Sequence, residues 1–456
     1  MESSCRGIIT QFSTKNNMAP LHVKLPPEVL MNIFRYLCPA SCRDIQFTHV
    51  CSLWRELIFR TPEFWVDMLS FKSMFYRLDY DARSHLSLQY FIQRTSPLPF
   101  PLTLYWGLDL KLIDTVAPHV HRIASLTLFV LDKDRLMSHL FQRLPGSSFS
   151  SLRTLKIGDP RIYTVPLLNL LSQCPQLQEL HLDLREDTRN PNPALFVDRP
   201  SVVLPCLRRC NIQDLRYSSE NQMHLWAPPF LSKLQYPATT QLRIYSAYGR
   251  HIRPCSFIPF SPSVATIPAI EKLNLCFSPM GRSRPGDWSL LMEGRAGGSK
   301  VLTIDIVGAQ WGPTHPPSGP SDVLCDLARL FEHAPSISLA VLDLEFGSGL
   351  SVVRSDWLLV LQAVPTLTVL SMRIGSCKSL FSVLRNNVSL CPSLRTLSIA
   401  CGNGSGVHGE LVSIVELRAR EGQGLESLTF RGNKDTPLST HRLARLKALV
   451  PHVDAL

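Results

Sequence analysis

The chain has 456 residues, of which 45% are hydrophobic and 18% charged, a balance that excludes an intrinsically disordered protein. It has 47 basic and 36 acidic residues, so its net charge is +11, but no run of five or six Lys and Arg residues marks a nucleic-acid-binding segment. This length exceeds one ordinary core and predicts several domains or one extended repeat array.

The start of the chain gives no sign of a targeting segment. Residues 1–20 lack a charged start followed by a long apolar stretch, and we expect them to form a disordered tail. No window of eighteen apolar residues occurs, so neither a transmembrane helix nor a membrane partner is expected. The 13 scattered cysteines favour reduced thiols in a cytoplasmic or nuclear protein.

The first predicted helix lies in residues 24–37, KLPPEVLMNIFRYL. Pro26 and Pro27 suit a helix start, where a missing N–H costs nothing, and Glu28 suits the positive end of the helix dipole. The apolar residues that follow recur at helical spacing and predict one apolar face; they are Val29, Leu30, Ile33, Phe34 and Leu37.

A second helix is predicted from about Arg43 to Arg60, and the sequence TPEFW at residues 61–65 is expected to break it. Fewer than fifty residues therefore contain a large apolar surface, including Trp54 and Trp65. Helices this short cannot bury that surface among themselves. Either another protein or the downstream part of the chain must cover the remainder.

These residues resemble a known family. LPPEVLMNIFRYL and HVCSLWRELIFRTPEFW together resemble the F-box, in the F-box-like form common in fungal proteins, and residues 90–106 resemble a segment that follows many fungal F-boxes. One departure is CPASCRD between the helices, where the family usually has a proline and an acidic residue, and where Asp44 can take the acidic place. The matching positions are Leu25, Pro26, Glu28, Leu30, Ile33, Phe34, Leu37, Val50, Cys51 and Trp54.

The resemblance implies a partner. An F-box binds the adaptor subunit of an SCF-type ubiquitin ligase, and through it the cullin scaffold. The alternative is a protein-interaction scaffold in which these helices only cap the following domain. We expect an F-box-like helical domain at residues 21–68 and a helical linker at 69–100. The implied adaptor-binding residues are Leu25, Pro26, Val29, Leu30, Ile33, Phe34, Leu37, Val50 and Trp54.

From about residue 120 onward the pattern Leu-x-x-Leu-x-Leu recurs eleven times, with steps of 25 to 40 residues between copies. Helical patterns lie between several copies, at residues 134–144, 321–334 and 355–364. A strand followed by a helix at such a period is typical of leucine-rich repeats. The fourth residues of the copies, here called the anchors, are Leu126, Leu155, Leu180, Cys210, Leu242, Leu273, Leu302, Leu342, Leu370, Leu397 and Leu428.

The predicted fold is therefore α/β: a short N-terminal helical F-box, then an irregular leucine-rich-repeat solenoid at residues 101–456. Parallel strands should line its concave side and helices its convex side. Three stretches interrupt the anchors, at residues 185–200, 216–235 and 308–320. Loops of this length on a scaffold are often functional, and their role is left open.

Motifs for catalysis are weak. Gly404, Gly406 and Gly409 have the spacing of a dinucleotide-binding loop, but no phosphate-binding lysine follows them. The Cys pairs at residues 38 and 42 and at 206 and 210 lack a second pair at zinc-finger distance. We expect no enzymatic activity, cofactor or metal, although a catalytic cysteine stays open because its partners need not be adjacent in sequence.

The residues between the strand leucines should face outward, and in the middle of the array they form a basic stripe. We hypothesise that this stripe, Arg209, Arg243, Tyr245 and Lys272, helps to hold a protein substrate; an ordinary solvated face is the alternative. The favoured function is substrate recognition for an SCF-type ligase. A basic, nucleic-acid-associated protein is a further alternative, which a salt titration would distinguish.

Overall fold

The computed structural model describes residues 25–36, 42–70, 84–105, 110–129, 149–158, 164–184, 199–214, 230–247, 270–279, 287–310, 320–333, 338–347, 352–402, 407–432 and 438–455. The chain divides into two compact units, Met1–His181 and Leu182–Leu456, and each is described by itself. The tail at residues 1–20 and most of the three interrupting stretches lie outside the described residues.

The first unit begins with short helices: α1 (Pro27–Tyr36), a 3₁₀ helix (Cys42–His49), α2 (Ser52–Phe59), α3 (Pro62–Ser70) and α4 (Ser84–Arg94). The single helix predicted from Arg43 to Arg60 is wrong, because the chain extends at Cys51, whose Sγ accepts the Trp54 N–H at 3.4 Å and caps α2. TPEFW ends one helix but also begins the next, since Pro62 lacks the N–H that a first helical residue leaves unpaired.

A parallel sheet completes this unit. Its described elements are β1 (Phe100–Tyr105), α5 (Leu110–Val116), a 3₁₀ helix (Ala117–Arg122), β2 (Ile123–Phe129), β3 (Thr154–Gly158), α6 (Thr164–Ser172) and β4 (Glu179–Leu184), with the strands in the order β1-β2-β3-β4. Leu102, Leu126 and Leu155 lie side by side on neighbouring strands and are all buried. The anchor positions therefore form one apolar row in the core.

The second unit is rich in strands. Its elements are β5 (Val202–Val203), β6 (Arg209–Asp214), β7 (Leu234–Gln235), β8 (Gln241–Ala247), β9 (Lys272–Pro279), β10 (Asp287–Ala296), β11 (Ser299–Gln310), α7 (Pro320–His333), β12 (Val341–Phe346), α8 (Arg354–Ala363), β13 (Val369–Ile374), α9 (Lys378–Asn386), β14 (Thr396–Cys401), α10 (Val407–Arg420), β15 (Ser427–Arg431), α11 (Thr440–Leu449) and β16 (His452–Ala455). The mixed α/β class predicted from sequence is confirmed.

The anchors of this unit also share rows across the sheet. Leu342, Leu370, Leu397 and Leu428 are paired in parallel register along β12, β13, β14 and β15, and all four are buried. Burial alternates along each of these strands, as it does when one face packs on helices. Helices α7 and α8 occupy two of the three predicted helical stretches, and the third, residues 134–144, lies outside the described residues.

One expectation about this sheet is wrong. The strand order is β6-β8-β11-β10-β9-β12-β13-β14-β15-β16, so successive anchors are not always neighbours. Leu242 lies beside Leu302, and Leu273 beside Leu342. Between them β10 runs antiparallel to both β9 and β11, so the sheet is not wholly parallel.

Glycines form the turn at which the chain reverses direction between β10 and β11. Gly297 and Gly298 have φ of +52° and +80°, and they join β10 to β11 in a two-residue turn. A two-residue hairpin turn of this kind needs a positive φ at both of its central residues. Glycine adopts a positive φ without steric cost because it has no Cβ. Within β10, Gly294 stands in the anchor row, and a Cβ there would lie only 2.9 Å from Ile270 Cδ1. The neighbouring side chains therefore fill the place that a leucine occupies in the parallel strands.

Among the described residues, no helix combines the length and the apolar character needed to cross a bilayer.

Candidate functional site

Helix α1 has a buried apolar face. Leu30 and Phe34, one helical turn apart, are each 1% exposed, and the Phe34 ring meets the edge of the Trp54 ring from α2 at a centroid distance of 5.2 Å. Edge-to-face packing of this kind adds to the stabilisation that burial alone gives. These two residues hold α1 against the rest of the helical segment.

A second apolar stripe on α1 faces outward. Val29 is 40% exposed, Ile33 43% and Tyr36 85%, at the i, i+4 and i+7 spacing that puts side chains on one side of a helix. Val50, before α2, is also 43% exposed. We call Val29, Ile33, Tyr36 and Val50 the docking face. Exposed apolar side chains at helical spacing are suited to contact with another protein.

Polar contacts fix the helices that carry the docking face. Arg35 Nε lies 3.3 Å from Glu63 Oε1 and so joins α1 to α3. Arg55 Nε donates to the Thr48 carbonyl at 2.9 Å, which ties α2 to the preceding 3₁₀ helix. Two aromatic side chains of α3, Phe64 and Trp65, are fully buried beneath. The docking face is therefore presented on a packed support.

The predicted adaptor-binding residues divide between these two environments. Leu30 and Phe34 lie in the interior, where their role is to support the helix. Val29, Ile33 and Val50 are exposed, as is Pro26, while Leu25 and Trp54 are half-buried. Leu37 lies outside the described residues. Contact of these residues with an adaptor stays a prediction.

Tyr36 was missed by sequence reasoning. The apolar residues of α1 were interpreted as one stripe, whereas they form two, and tyrosine was not counted among them. The i+7 spacing from Val29 was the available signal, because it places Tyr36 on the side of Val29 and Ile33.

Comparison with known families decides the nature of this segment. Residues 22–69 match the family model of the F-box-like domain. The N-terminal segment is an F-box-like domain. No curated protein matches the chain.

F-box domains generally bind adaptor subunits, and they are typically adaptors rather than catalysts. The match ends at residue 69, within α3, so it covers α1, α2 and almost all of α3. The docking face therefore belongs to the F-box-like domain. This domain indicates a role in protein interaction of the F-box type, related to ubiquitin ligases.

The structure brings together three of the four residues predicted to hold a substrate. Arg209 and Arg243 are exposed on the adjacent strands β6 and β8, and Tyr245 lies two residues along β8, beside Asp305 of β11. Burial raises the pKa of the Asp305 carboxyl, and the nearby Arg243 guanidinium opposes this by lowering it. The group is therefore basic at Arg209 and Arg243 and ends at the partly buried carboxyl group of Asp305.

Lys272 does not join this group. Its strand β9 is separated from β8 by β11 and β10, three strand spacings or about 14 Å. Its Nζ lies 2.8 Å from Asp343 Oδ2, so its charge is partly balanced. The continuous basic stripe expected from sequence is wrong because β10 and β11 intervene.

The glycine motif and the cysteines considered in the sequence analysis do not form a binding site among the described residues. Gly409 lies inside α10, and Gly404 and Gly406 lie outside the described residues. Cys210 is buried, and burial raises the pKa of its thiol to about 12, which disfavours the thiolate that metal binding needs. The described residues contain no group of three or more His, Cys, Asp or Glu side chains arranged for a metal ion.

Proposed function

We propose that the protein is the substrate-recognition subunit of an SCF-type ubiquitin ligase, in which the docking face binds the adaptor subunit and, through it, the cullin scaffold. The observation that carries this proposal is that Val29, Ile33 and Val50 are exposed within the segment that matches the F-box-like domain. Burial of each such side chain by a partner contributes about 1.5–3 kcal/mol at most.

The proposed target-binding part is an irregular leucine-rich-repeat domain at residues 101–456, joined to the F-box-like domain at 21–68 by a linker at 69–100. Support comes from the buried anchor rows and from the helices that follow many of the strands. Arg209, Arg243 and Tyr245 are the proposed contacts for a protein target, because Arg and Tyr often dominate interface energies.

The proposed mechanism is proximity and not catalysis by this chain. Binding a target and the ligase together raises the effective concentration of a target lysine near the charged ubiquitin carrier. The protein would act in this way in the cytoplasm or nucleus, with neither a cofactor nor a metal.

The test is retention of purified adaptor subunit by the full-length protein. We expect the wild type to retain it and the double variant Val29→Asp, Ile33→Asp to bind at least about tenfold more weakly, because two carboxylates would be buried against an apolar surface. The matched control is Val353→Asp, Leu359→Asp, which alters side chains that are 53% and 41% exposed near the start and in the middle of α8.

Two outcomes would count against the proposal. If the wild type does not retain the adaptor, the ligase function fails and the protein-interaction scaffold remains. If the α1 variant binds as well as the wild type while Leu359 and Val353 matter, the docking face has been assigned to the wrong surface.

A further inference from the structure

The sheet of the second unit ends in a short strand. β16 is last in the sheet order, and among the described residues it pairs only with β15. The pairing is parallel, with Ser427 opposite His452, and the His452 N–H donates to the Glu426 carbonyl at 3.2 Å. An edge strand of this kind presents backbone groups to which another chain can bond.

The register shows which backbone groups point to the open edge. The N–H and C=O of one residue in a strand point to the same neighbouring strand, and successive residues alternate between the two sides. His452 bonds to β15, so Val453 presents its N–H and C=O to the open edge. His452 and Asp454 have exposed side chains on one face of the strand, and the half-buried Val453 side chain lies on the other. A partner strand would therefore bond at Val453 and meet the side chains of His452 and Asp454.

These three residues are complementary to a second copy of themselves. In an antiparallel pair centred on Val453, the two Val453 residues exchange both backbone hydrogen bonds. The same register places His452 of each copy directly opposite Asp454 of the other, where the imidazole N–H can donate to the carboxylate. Attractive pairs at opposite positions stabilise two strands. A twofold axis repeats each of these contacts, so the edge complements itself.

The neighbouring registers fit less well. Centring the pair on His452 would put Val453 opposite Pro451, which has no N–H to donate. Centring it on Asp454 would put two carboxylates directly opposite each other, which destabilises a strand pair. Centring it between two residues would place a residue that bonds to β15 opposite one that faces the open edge. Centring on Val453 satisfies both the backbone groups and the charges.

We propose that β16 is a self-association edge, at which two copies of this chain pair their β16 strands antiparallel about a twofold axis at Val453. The pairing would join the two sheets into one. This inference does not depend on the proposed function, because the F-box-like domain contributes no residue to the edge.

The helix beside this edge limits the affinity. Arg445 of α11 bonds to Glu416 of α10, so this side of α11 faces the preceding helix. Lys447, two residues further along, lies on the opposite side of α11 and is exposed. The twofold axis puts both α11 helices on the same face of the joined sheet, where the two Lys447 ammonium groups repel each other. We therefore expect a weak, reversible dimer.

The test is sedimentation velocity of the full-length protein between about 1 and 100 µM, a range suited to a small interface. We expect a monomer–dimer equilibrium in the wild type. His452→Asp and Asp454→Lys should each weaken dimerisation at least about tenfold, because two carboxylates or two hydrogen-bond donors then face each other. Val453→Pro should weaken it as well, since it removes an N–H that β15 does not use.

An equimolar mixture of the His452→Asp and Asp454→Lys proteins separates the proposal from a folding defect. In a mixed dimer the introduced carboxylate faces the introduced ammonium group, and the unchanged Asp454 faces the unchanged His452. We expect the mixture to dimerise at least about tenfold more tightly than either variant alone, which damaged folding would not produce. The control is His441→Asp, at an exposed histidine of α11, which should dimerise as the wild type does.

Three results would overturn the proposal. The first is a wild type that remains monomeric up to about 100 µM, which is also the result expected if the edge binds a segment of a different protein. The second is a dimer that persists unchanged in His452→Asp and Val453→Pro, since another surface then joins the copies. The third is a mixture that associates no more tightly than its two components.

Discussion

At the scale of single residues, one buried arginine stabilises a loop that no regular element holds. Arg418 of α10 is 1% exposed, and its Nη1 and Nη2 donate to the carbonyls of Leu390 and Cys391, each at 3.1 Å. Cys391 has φ of +48°, a left-handed conformation that costs energy for a residue with a side chain. The guanidinium therefore provides the donors that this strained loop needs.

Replacing Arg418 with methionine should destabilise the protein by about 2–4 kcal/mol, because two buried carbonyls lose charge-assisted hydrogen bonds. Urea denaturation of Arg418→Met would measure the loss. The control is Arg420→Met on the exposed side of the same helix, which should change the free energy of unfolding by less than about 0.5 kcal/mol. Equal effects of the two substitutions would contradict the assigned role.

A buried histidine should make stability depend on pH. His408 packs against the Phe430 ring at a centroid distance of 5.4 Å, and burial, followed by the charge of Arg442, lowers its pKa. Because the folded pKa is below the unfolded value of 6.5, the unfolded chain binds the proton more readily. This contribution to stability is present above pH 6.5 and is lost as the pH falls through the folded pKa.

We expect His408→Phe to reduce the loss of stability between pH 7.5 and pH 5.5, measured from urea midpoints at both pH values. The matched control is His441→Phe, which changes an exposed histidine of α11. If His408→Phe loses as much stability on acidification as the wild type does, another group is responsible.

At the scale of elements, the hairpin between β10 and β11 depends on its two glycines. Gly298→Val should destabilise the protein by about 1–3 kcal/mol, because φ of +80° is strained for a β-branched residue. Gly409→Ala is the opposite test, since a Cβ there meets nothing within 4 Å inside α10. That change should stabilise by about 0.5–1 kcal/mol. Thermal denaturation of both variants measures the contrast.

Sequence spacing predicted the strands better than their order. The anchor residues are all in strands because a buried leucine row needs the same residue type at each step, which leaves a visible period. Strand β10 escaped prediction because Gly294 takes the anchor position in it, so the Leu-x-x-Leu-x-Leu pattern is missing there although the strand contains Leu290 and Leu291. The 29-residue step from Leu273 to Leu302 matched the period even though the two strands are not neighbours. Gly297 and Gly298 were the local signal for the hairpin.

The candidate site was only partly predictable for a related reason. Helical spacing located the apolar residues of α1, but spacing alone does not separate a face that packs on α2 from a face left exposed. Phe34 meets the Trp54 ring and is buried, as Leu30 is, whereas Val29 and Ile33 are exposed. This division depends on tertiary packing, which the spacing of residues does not contain. The same holds for Lys272, whose distance from Arg243 depends on strand order.

At the scale of the whole molecule, a net charge of +11 could still favour binding to polyanions. If the apolar docking face carries the main interaction, adaptor affinity should change little between 50 and 200 mM salt. A protein making six to ten phosphate contacts would lose about 10³–10⁵ in affinity over that interval. Titrations of adaptor and of duplex DNA at both salt concentrations test this, and tight, salt-sensitive DNA binding would favour the nucleic-acid alternative.

The antiparallel hairpin of β10 and β11 also affects how the second unit can fold. Along β12 to β15, paired anchors are 27 to 31 residues apart, whereas Leu242 and Leu302 are separated by 60 and Leu273 and Leu342 by 69. Each doubling of the loop length adds about 0.6 kcal/mol to the entropic cost of closing the loop. These two pairings therefore cost more entropy than the pairings between β12 and β15. We expect the strands after β12 to assemble early, and β8 to join β11 only after the hairpin has formed. The middle of this sheet would then set the folding rate of the unit.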